Sequence, residues 1–253
     1  LFRPFCFYYI LLRMESNITA VILAAGMGKR FGSGNDKPKS MLKVHGKTIL
    51  GNTINLLHRH SITNIVVVVG DKRDYIIDEY GDNVLFVTNP KYRTTNTAKS
   101  LLKALEKLNL NSDVIWINGD VMMESAVVDR IVSCGENAVC VNTSKCGPEE
   151  VKYTTTIDGE GNYIKHLSKH VKKPEGEAVG VNRINARHIS KLISFLEKCK
   201  KQDYFEAAIE KISLSALTDS RFIALDVSDC NIIEIDFHED LVAAEKMFRD
   251  CEN

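Results

Sequence analysis

Short apolar runs alternate with amphipathic stretches along the first 142 residues. TAVILA (Thr19–Ala24), NIVVVVG (Asn64–Gly70) and DVIWIN (Asp113–Asn118) are too short for buried helices and rich in β-branched residues, so each predicts a strand buried on both faces. Asn83–Thr88 and Ala138–Asn142 add two more. Between them, residues at helical spacing predict helices over Ile49–His58, Arg73–Tyr80, Asn96–Leu108 and Ser125–Cys134. In the third of these, Ala98, Leu101, Leu102, Leu105 and Leu108 form the apolar face, with Asn96 or Thr97 as cap. Strand–helix alternation of this kind predicts an α/β fold, a three-layer α/β/α sandwich around a mostly parallel, Rossmann-like sheet.

The second half changes character. Lys152–Ile157 and Tyr163–Leu167 predict a hairpin turning on GEGN, and Ala178–Asn182 a strand. Helices follow at Ala186–Lys200 and Tyr204–Leu214, then two late strands at Phe222–Val227 and Cys230–Ile235, and a closing helix at Phe237–Cys251. These antiparallel pieces are expected to extend one end of the sheet, not to form a second domain. The apolar stretch Leu1–Arg13 is shorter than the roughly 20 residues that span a bilayer. It is read as a mis-assigned start or an extension (1–13), leaving residues 14–253 as one domain. No stable membrane insertion is expected.

The 253 residues carry 33 basic and 33 acidic side chains, and this balance argues against a polycation working on nucleic acid. An odd count of seven cysteines, without a regular framework or a CxxC pair, argues for reduced thiols in a cytoplasmic protein and against a disulfide scaffold or zinc site.

Candidate chemistry gathers after the first strand. In AGMGKRFGSGNDKPKSM, Ala24, Ala25 and Gly26 leave room for backbone N–H groups to approach a base or phosphate, while Lys29, Arg30 and Lys39 add cationic donors. The spacing is neither GxGxxG nor GxxxxGK[ST], which lowers the dinucleotide and P-loop readings. Asp120 and Asp236 each follow an apolar strand, where a carboxylate pair beside a phosphate loop suits Mg2+. Glu234 is a less expected ligand, although its two-residue spacing keeps it near. His166 and His170 are read as surface residues.

LAAGMGKRFGSGNDKPKSML resembles the signature LAAGxGxR…PKxL of the nucleoside-triphosphate transferase superfamily, the nucleotidyltransferases. That resemblance implies the nucleotide-diphospho-sugar transferase type of fold and an enzyme that moves a nucleotidyl group. It implies that Leu23, Ala24, Ala25, Gly26, Gly28, Lys29, Arg30, Lys39 and Asn96 contact the nucleotide. Arg30, Lys39, Asp120 and Asp236 become the catalytic set, with Asp120 and Asp236 holding Mg2+. NPKYRTTNTAKSL, EEVKYTTTIDGEGNYIKHLSK, GEAVG and EID are similar to stretches of the cytidylyltransferases for phosphocholine and 2-aminoethylphosphonate. The resemblance runs from about Ile18 to Phe248 and implies CTP and a small phosphorylated or phosphonate acceptor. A sugar-1-phosphate nucleotidyltransferase, or a cytidylyltransferase for another capsule or lipopolysaccharide precursor, is the alternative enzyme; a regulatory nucleotide-binding module is the non-enzyme one. Thr97 departs from the family's TNN. For a cationic acceptor head, Glu150, Glu177, Tyr92 and Tyr153 are the acidic and aromatic candidates; Lys152, Lys165 and the Lys165–Lys173 cluster could instead meet a phosphate. Either a monomer or a homodimer is compatible with the chain.

Overall fold

A computed structural model describes residues 17–28, 37–108, 111–143, 146–147, 149–158, 161–215 and 218–249. The reading of residues 1–13, the residues Lys29 and Arg30, and the GE of the predicted hairpin turn lie outside the described residues.

Each predicted strand but the last, Cys230–Ile235, becomes a strand of one nine-stranded sheet. In chain order these are β1 (Ile18–Ala24), β4 (Asn64–Val69), β5 (Leu85–Thr88), β6 (Asp113–Asn118), β8 (Ala138–Asn142), β9 (Lys152–Asp158), β10 (Gly161–Ser168), β11 (Gly176–Ile184) and β12 (Ile223–Asp226). Their spatial order is β5-β4-β1-β6-β11-β8-β12-β10-β9. Strands β5, β4, β1 and β6 pair in parallel, β11 runs antiparallel to both β6 and β8, and β9 and β10 form the predicted hairpin. The sheet is thus mixed, with its parallel half at the chain's N-terminal end.

Burial on both faces follows from side-chain alternation. Ala20, Ile22 and Ala24 of β1 join one core with α1 (Ile49–Arg59) and α4 (Ser125–Ser133). Val21 and Leu23 join the opposite core with α3 (Thr97–Leu105), α5 (Ile189–Lys198) and α6 (Glu206–Ser213). Trp116 of β6 fills the second core, with Phe205 and Phe222 packed edge-on at ring-centre distances of 5.7 and 6.3 Å. The short helix α2 (Arg73–Tyr80) buries only Ile76 against the first core.

Two small two-stranded pairs lie outside the main sheet. β2 (Lys43–Val44) and β3 (Lys47–Thr48) pair after the glycine loop, and β7 (Val121–Met123) pairs with β13 (Ile232–Glu234). The two late strands therefore part company: β12 joins the main sheet beside β8, while β13 goes to β7. The closing helix α7 (His238–Met247) packs Ala244 with Val44, Ile49, Met122 and Ile235 in a third, smaller core. Among the described residues no helix is long and apolar enough to cross a membrane. Among the described cysteines, Cys134, Cys140, Cys199 and Cys230 are free thiols.

Candidate active site

The carboxyl ends of β1 and β6 open into a cleft of about 500 Å3. Leu23, Ala24, Gly26 and Gly28 line it from the glycine loop, and Asn118, Gly119 and Asp120 from the end of β6. Gly28 takes φ +56°, the left-handed region that favours glycine, and a Cβ there would meet Lys39 Cβ at 3.4 Å. The loop thereby passes directly over the lysine. Gly119 has a similar reason for its small size: its N–H donates to Leu23 O at 3.0 Å, and a Cβ would stand 2.8 Å from that oxygen. Asp120 is thus drawn in beside the end of β1.

Asp236 arrives from the other end of the chain. Glu234 pairs with Val121 in the β7–β13 ladder, and the Ile235 N–H donates to Asp120 O at 3.0 Å. The Asp240 carboxylate then accepts from the N–H groups of Asp236 and Phe237 at 2.9 and 2.7 Å, fixing the turn into α7. Oxygens of Asp120, Glu234 and Asp236 consequently lie within 4.8 Å of one another. Glu234, set aside as the weaker ligand in the sequence, belongs to this cluster.

Lys39 enters from a single 3-10 turn, where the Leu42 N–H bonds to Lys39 O at 3.0 Å. Its Nζ lies 2.7 Å from Asp120 Oδ2 and 2.5 Å from Asp236 Oδ1. Burial works against the ammonium, but the charges and hydrogen bonds of Asp120 and Asp236 outweigh it and hold the Lys39 pKa above the ordinary lysine value. Glu234 opens onto the cleft with its side chain still exposed. Asp120 Oδ1 is buried without a hydrogen-bond partner. Three hard oxygen donors, one of them orphaned, match what Mg2+ takes from protein.

Of the far wall, the sequence offered Tyr92 and the cluster that holds Lys169, and missed the rest. Tyr92, Arg93, Lys169, Gln202, Tyr204 and Glu206 line it. Glu206 is 6% exposed, and its Oε2 has no hydrogen-bond partner. Burial pushes its carboxyl up to about 7, against the opposing influence of its own N–H and of Lys169. The Lys169 ammonium sits 5.5 Å from the centre of the exposed Tyr204 ring. This wall is laced to the start of α3: Asn96 N–H donates to Lys201 O, Ala98 N–H to Asp203 O, and Phe205 N–H to Thr97 Oγ1 at 3.2 Å. Asn96 is the cap, its Oδ1 accepting from Thr97 N–H at 2.9 Å, and it lines the cleft.

Of the residues suggested for a cationic head, Tyr92 lines the cleft, whereas Tyr153 is 3% exposed in the core. Glu150 and Glu177 neighbour each other; burial and then Glu150 push the Glu177 carboxyl up. From the Lys165–Lys173 cluster, Lys169 reaches the cleft. Among the described residues no histidine lines it. The signal that could have found Glu206 was the acidic residue inside the otherwise apolar face of YFEAAIEKI.

Comparison with known proteins places this geometry in context. The MobA-like NTP transferase domain matches residues 20–187, more than half of the chain. A CMP-5'-(3-aminopropyl)phosphonate synthase of Streptomyces rubellomurinus is 36% identical over 125 residues, covering 47% of this chain and 20% of that protein. A Bifunctional protein GlmU of Methanococcus maripaludis is 30% identical over 172 residues, covering 66% of this chain and 38% of that one. The chain thus spans well under half the length of these two relatives. The inositol-1-phosphate CTP transferase from T. maritima shares the fold, with a TM-score of 0.75 at 17% identity over 93% of this chain and 98% of that one.

Proposed function

The chain belongs to the MobA-like NTP transferase domain family, and from that premise we propose that it transfers a nucleotidyl group, CMP from CTP, to a small phosphorylated or phosphonate acceptor and releases pyrophosphate. The observation that carries this reading is the meeting of Lys39 with Asp120 and Asp236 under the glycine loop. Pure nucleotide binding has no need of a carboxylate cluster placed against a phosphate-binding lysine. When bound at Asp120, Glu234 and Asp236, Mg2+ supplies charge neutralisation at the triphosphate oxygens.

The chain's own residues do the remainder. Small side chains at Ala24, Gly26 and Gly28 admit the nucleotide to backbone N–H groups, and Arg30 and Lys39 stabilise charge on the triphosphate. An acceptor oxygen that is already ionised attacks the α-phosphorus in line, and pyrophosphate leaves, so the step asks for orientation and charge stabilisation and for no general base. The absence of histidine from the described cleft fits such a step.

An ammonium-bearing acceptor such as phosphocholine or 2-aminoethylphosphonate is the finer reading. Supporting it are the unpartnered Glu206 Oε2 and the exposed Tyr204 ring on the far wall. A sugar 1-phosphate is the second reading, since the same fold is found in a putative glucose-1-phosphate thymidylyltransferase from Bacillus anthracis. Pyrophosphate release from each nucleoside triphosphate with a panel of acceptors separates them. Preference for CTP with a phosphonate or phosphocholine supports the first; turnover of a sugar 1-phosphate alone overturns it.

A further inference from the structure

Three carboxylates and one ammonium share the floor of the cleft. The Lys39 side chain is 12% exposed and holds one oxygen from each aspartate, Asp120 Oδ2 and Asp236 Oδ1. Its backbone is pinned by the 3-10 turn and by Gly28 above it, but four flexible methylenes separate that backbone from the charge. The ammonium can swing while the turn stays still.

A divalent ion sharing one of those oxygens would stand within about 5 Å of Lys39 Nζ. Like charges that close, in a half-enclosed cleft, repel strongly. The aspartates therefore cannot satisfy the ammonium and a dication together unless the ammonium finds anions elsewhere. A triphosphate lying under the glycine loop, beside Gly28 and Lys39, offers them.

We propose that the Lys39 ammonium is the resident counter-ion of the Asp120–Glu234–Asp236 cluster, and that a divalent metal enters as this ammonium moves to the phosphates of the bound triphosphate. Lys39 then does more than hold phosphate: it makes metal and nucleotide binding depend on each other, and by linkage each tightens the other. This deepens the metal-dependent transfer reading and rests on it.

Mn2+ alone, added to the whole chain without nucleotide and followed through the paramagnetic resonance of the free ion, tests the exchange. K39M is expected to bind Mn2+ at least about 10-fold more tightly than the unsubstituted chain. K39R, which keeps the charge, is expected to stay within about 3-fold of it. Folding of each variant is checked by circular dichroism. A second measurement needs no variant: saturating Mn2+ should speed reductive methylation of Lys39 several-fold by mass spectrometry, because the ammonium loses its partners. Folded K39M that binds Mn2+ no better than the unsubstituted chain overturns the inference, and so does K39R as tight as K39M. Methylation of Lys39 that ignores saturating Mn2+ overturns it too, and decides the matter if K39M does not fold. Absence of Mn2+ binding in every form would instead overturn the metal-dependent reading beneath it.

Discussion

Asp236 Oδ1 lies 2.5 Å from Lys39 Nζ across a sequence separation of 197 positions. Two short structures make that contact, the 3-10 turn that carries Lys39 and the β7–β13 ladder that ends just before Asp236. Asp120 remains as a second partner for the lysine, so D236N should fold, with a stability loss of about 1 kcal/mol or less. Metal-dependent pyrophosphate release should fall by about 100-fold or more if the proposed role of the Asp120–Glu234–Asp236 cluster holds, since one of its carboxylates is gone. Thermal unfolding and steady-state assays check the two halves. D236N turning over at the unsubstituted rate would remove Asp236 from the reaction.

The parts of this fold legible in the sequence are those whose signal is local. NIVVVV and DVIWIN lie where their apolar runs place them, and α2 spans Arg73–Tyr80 as its periodicity predicts. β2, β3 and β7 have two or three residues each, too few to show a period. Strand partners are a tertiary property, and neighbouring β12 and β13 end in different sheets. The site divides in the same way. Asp120 and Asp236 were readable because each follows an apolar strand. Tyr204 was not, and Glu206 showed only as an acid on an apolar face, because their approach to the cleft depends on hydrogen bonds with a segment about 100 residues earlier.

Gly119 leads to a prediction about backbone space. A Cβ there would stand 2.8 Å from Leu23 O and 3.0 Å from Ala24 Cα, both backbone atoms that cannot swing aside. G119A should therefore push Asp120 away from the end of β1. A shift of about 1 Å at a reacting centre costs on the order of 100-fold in rate. The measurement is kcat for pyrophosphate release at saturating Mg2+; a value within a few-fold of the unsubstituted chain would show that the strand ends can part without harm.

Thr97 leads to a prediction about the far wall. Its hydroxyl accepts from the Phe205 N–H, one residue from both Tyr204 and Glu206. T97V keeps the shape and removes the acceptor, leaving that N–H unpaired at a cost of about 1–3 kcal/mol. The KM for the acceptor should rise while the KM for CTP stays put. A rise confined to CTP would assign Thr97 to the nucleotide side of the cleft.

Arg183 holds the sheet together far from the chemistry. Its side chain is 8% exposed, pairs with Asp113 at 2.7 Å, and donates to Ile131 O and Val132 O at the end of α4. R183L would leave the Asp113 carboxylate partly buried without its cation, a loss of about 3–5 kcal/mol. Chemical denaturation should show it in full, with little change in activity per folded molecule at 25 °C. A shift below 1 kcal/mol would mean that solvent reaches Asp113 and replaces the guanidinium.

Glu206 gives stability and acceptor choice opposite dependences on pH. Its carboxyl is pushed up to about 7 by burial, above the value near 4.5 expected in the unfolded chain. A raised carboxyl favours the fold below the unfolded pKa, and that contribution is lost as pH climbs from about 4.5 through 7. The loss amounts to at most about 3 kcal/mol. E206Q cannot ionise, so relative to the unsubstituted chain it should gain stability between pH 5 and pH 8. An ammonium-bearing acceptor, by contrast, wants the ionised form. In the unsubstituted chain, kcat/KM for 2-aminoethylphosphonate relative to propylphosphonate should rise between pH 6 and pH 8 when divided by the same ratio in E206Q, a comparison that cancels the phosphonate titrations, which differ because the ammonium lowers one of them. In E206Q the ratio should follow the phosphonate titrations alone and at pH 8 be lower by about 10-fold or more, the scale of one lost charge-assisted hydrogen bond. If the ratio climbs with pH equally in both proteins, the ammonium is recognised elsewhere, and Glu206 is a buried acid with no part in choosing the acceptor.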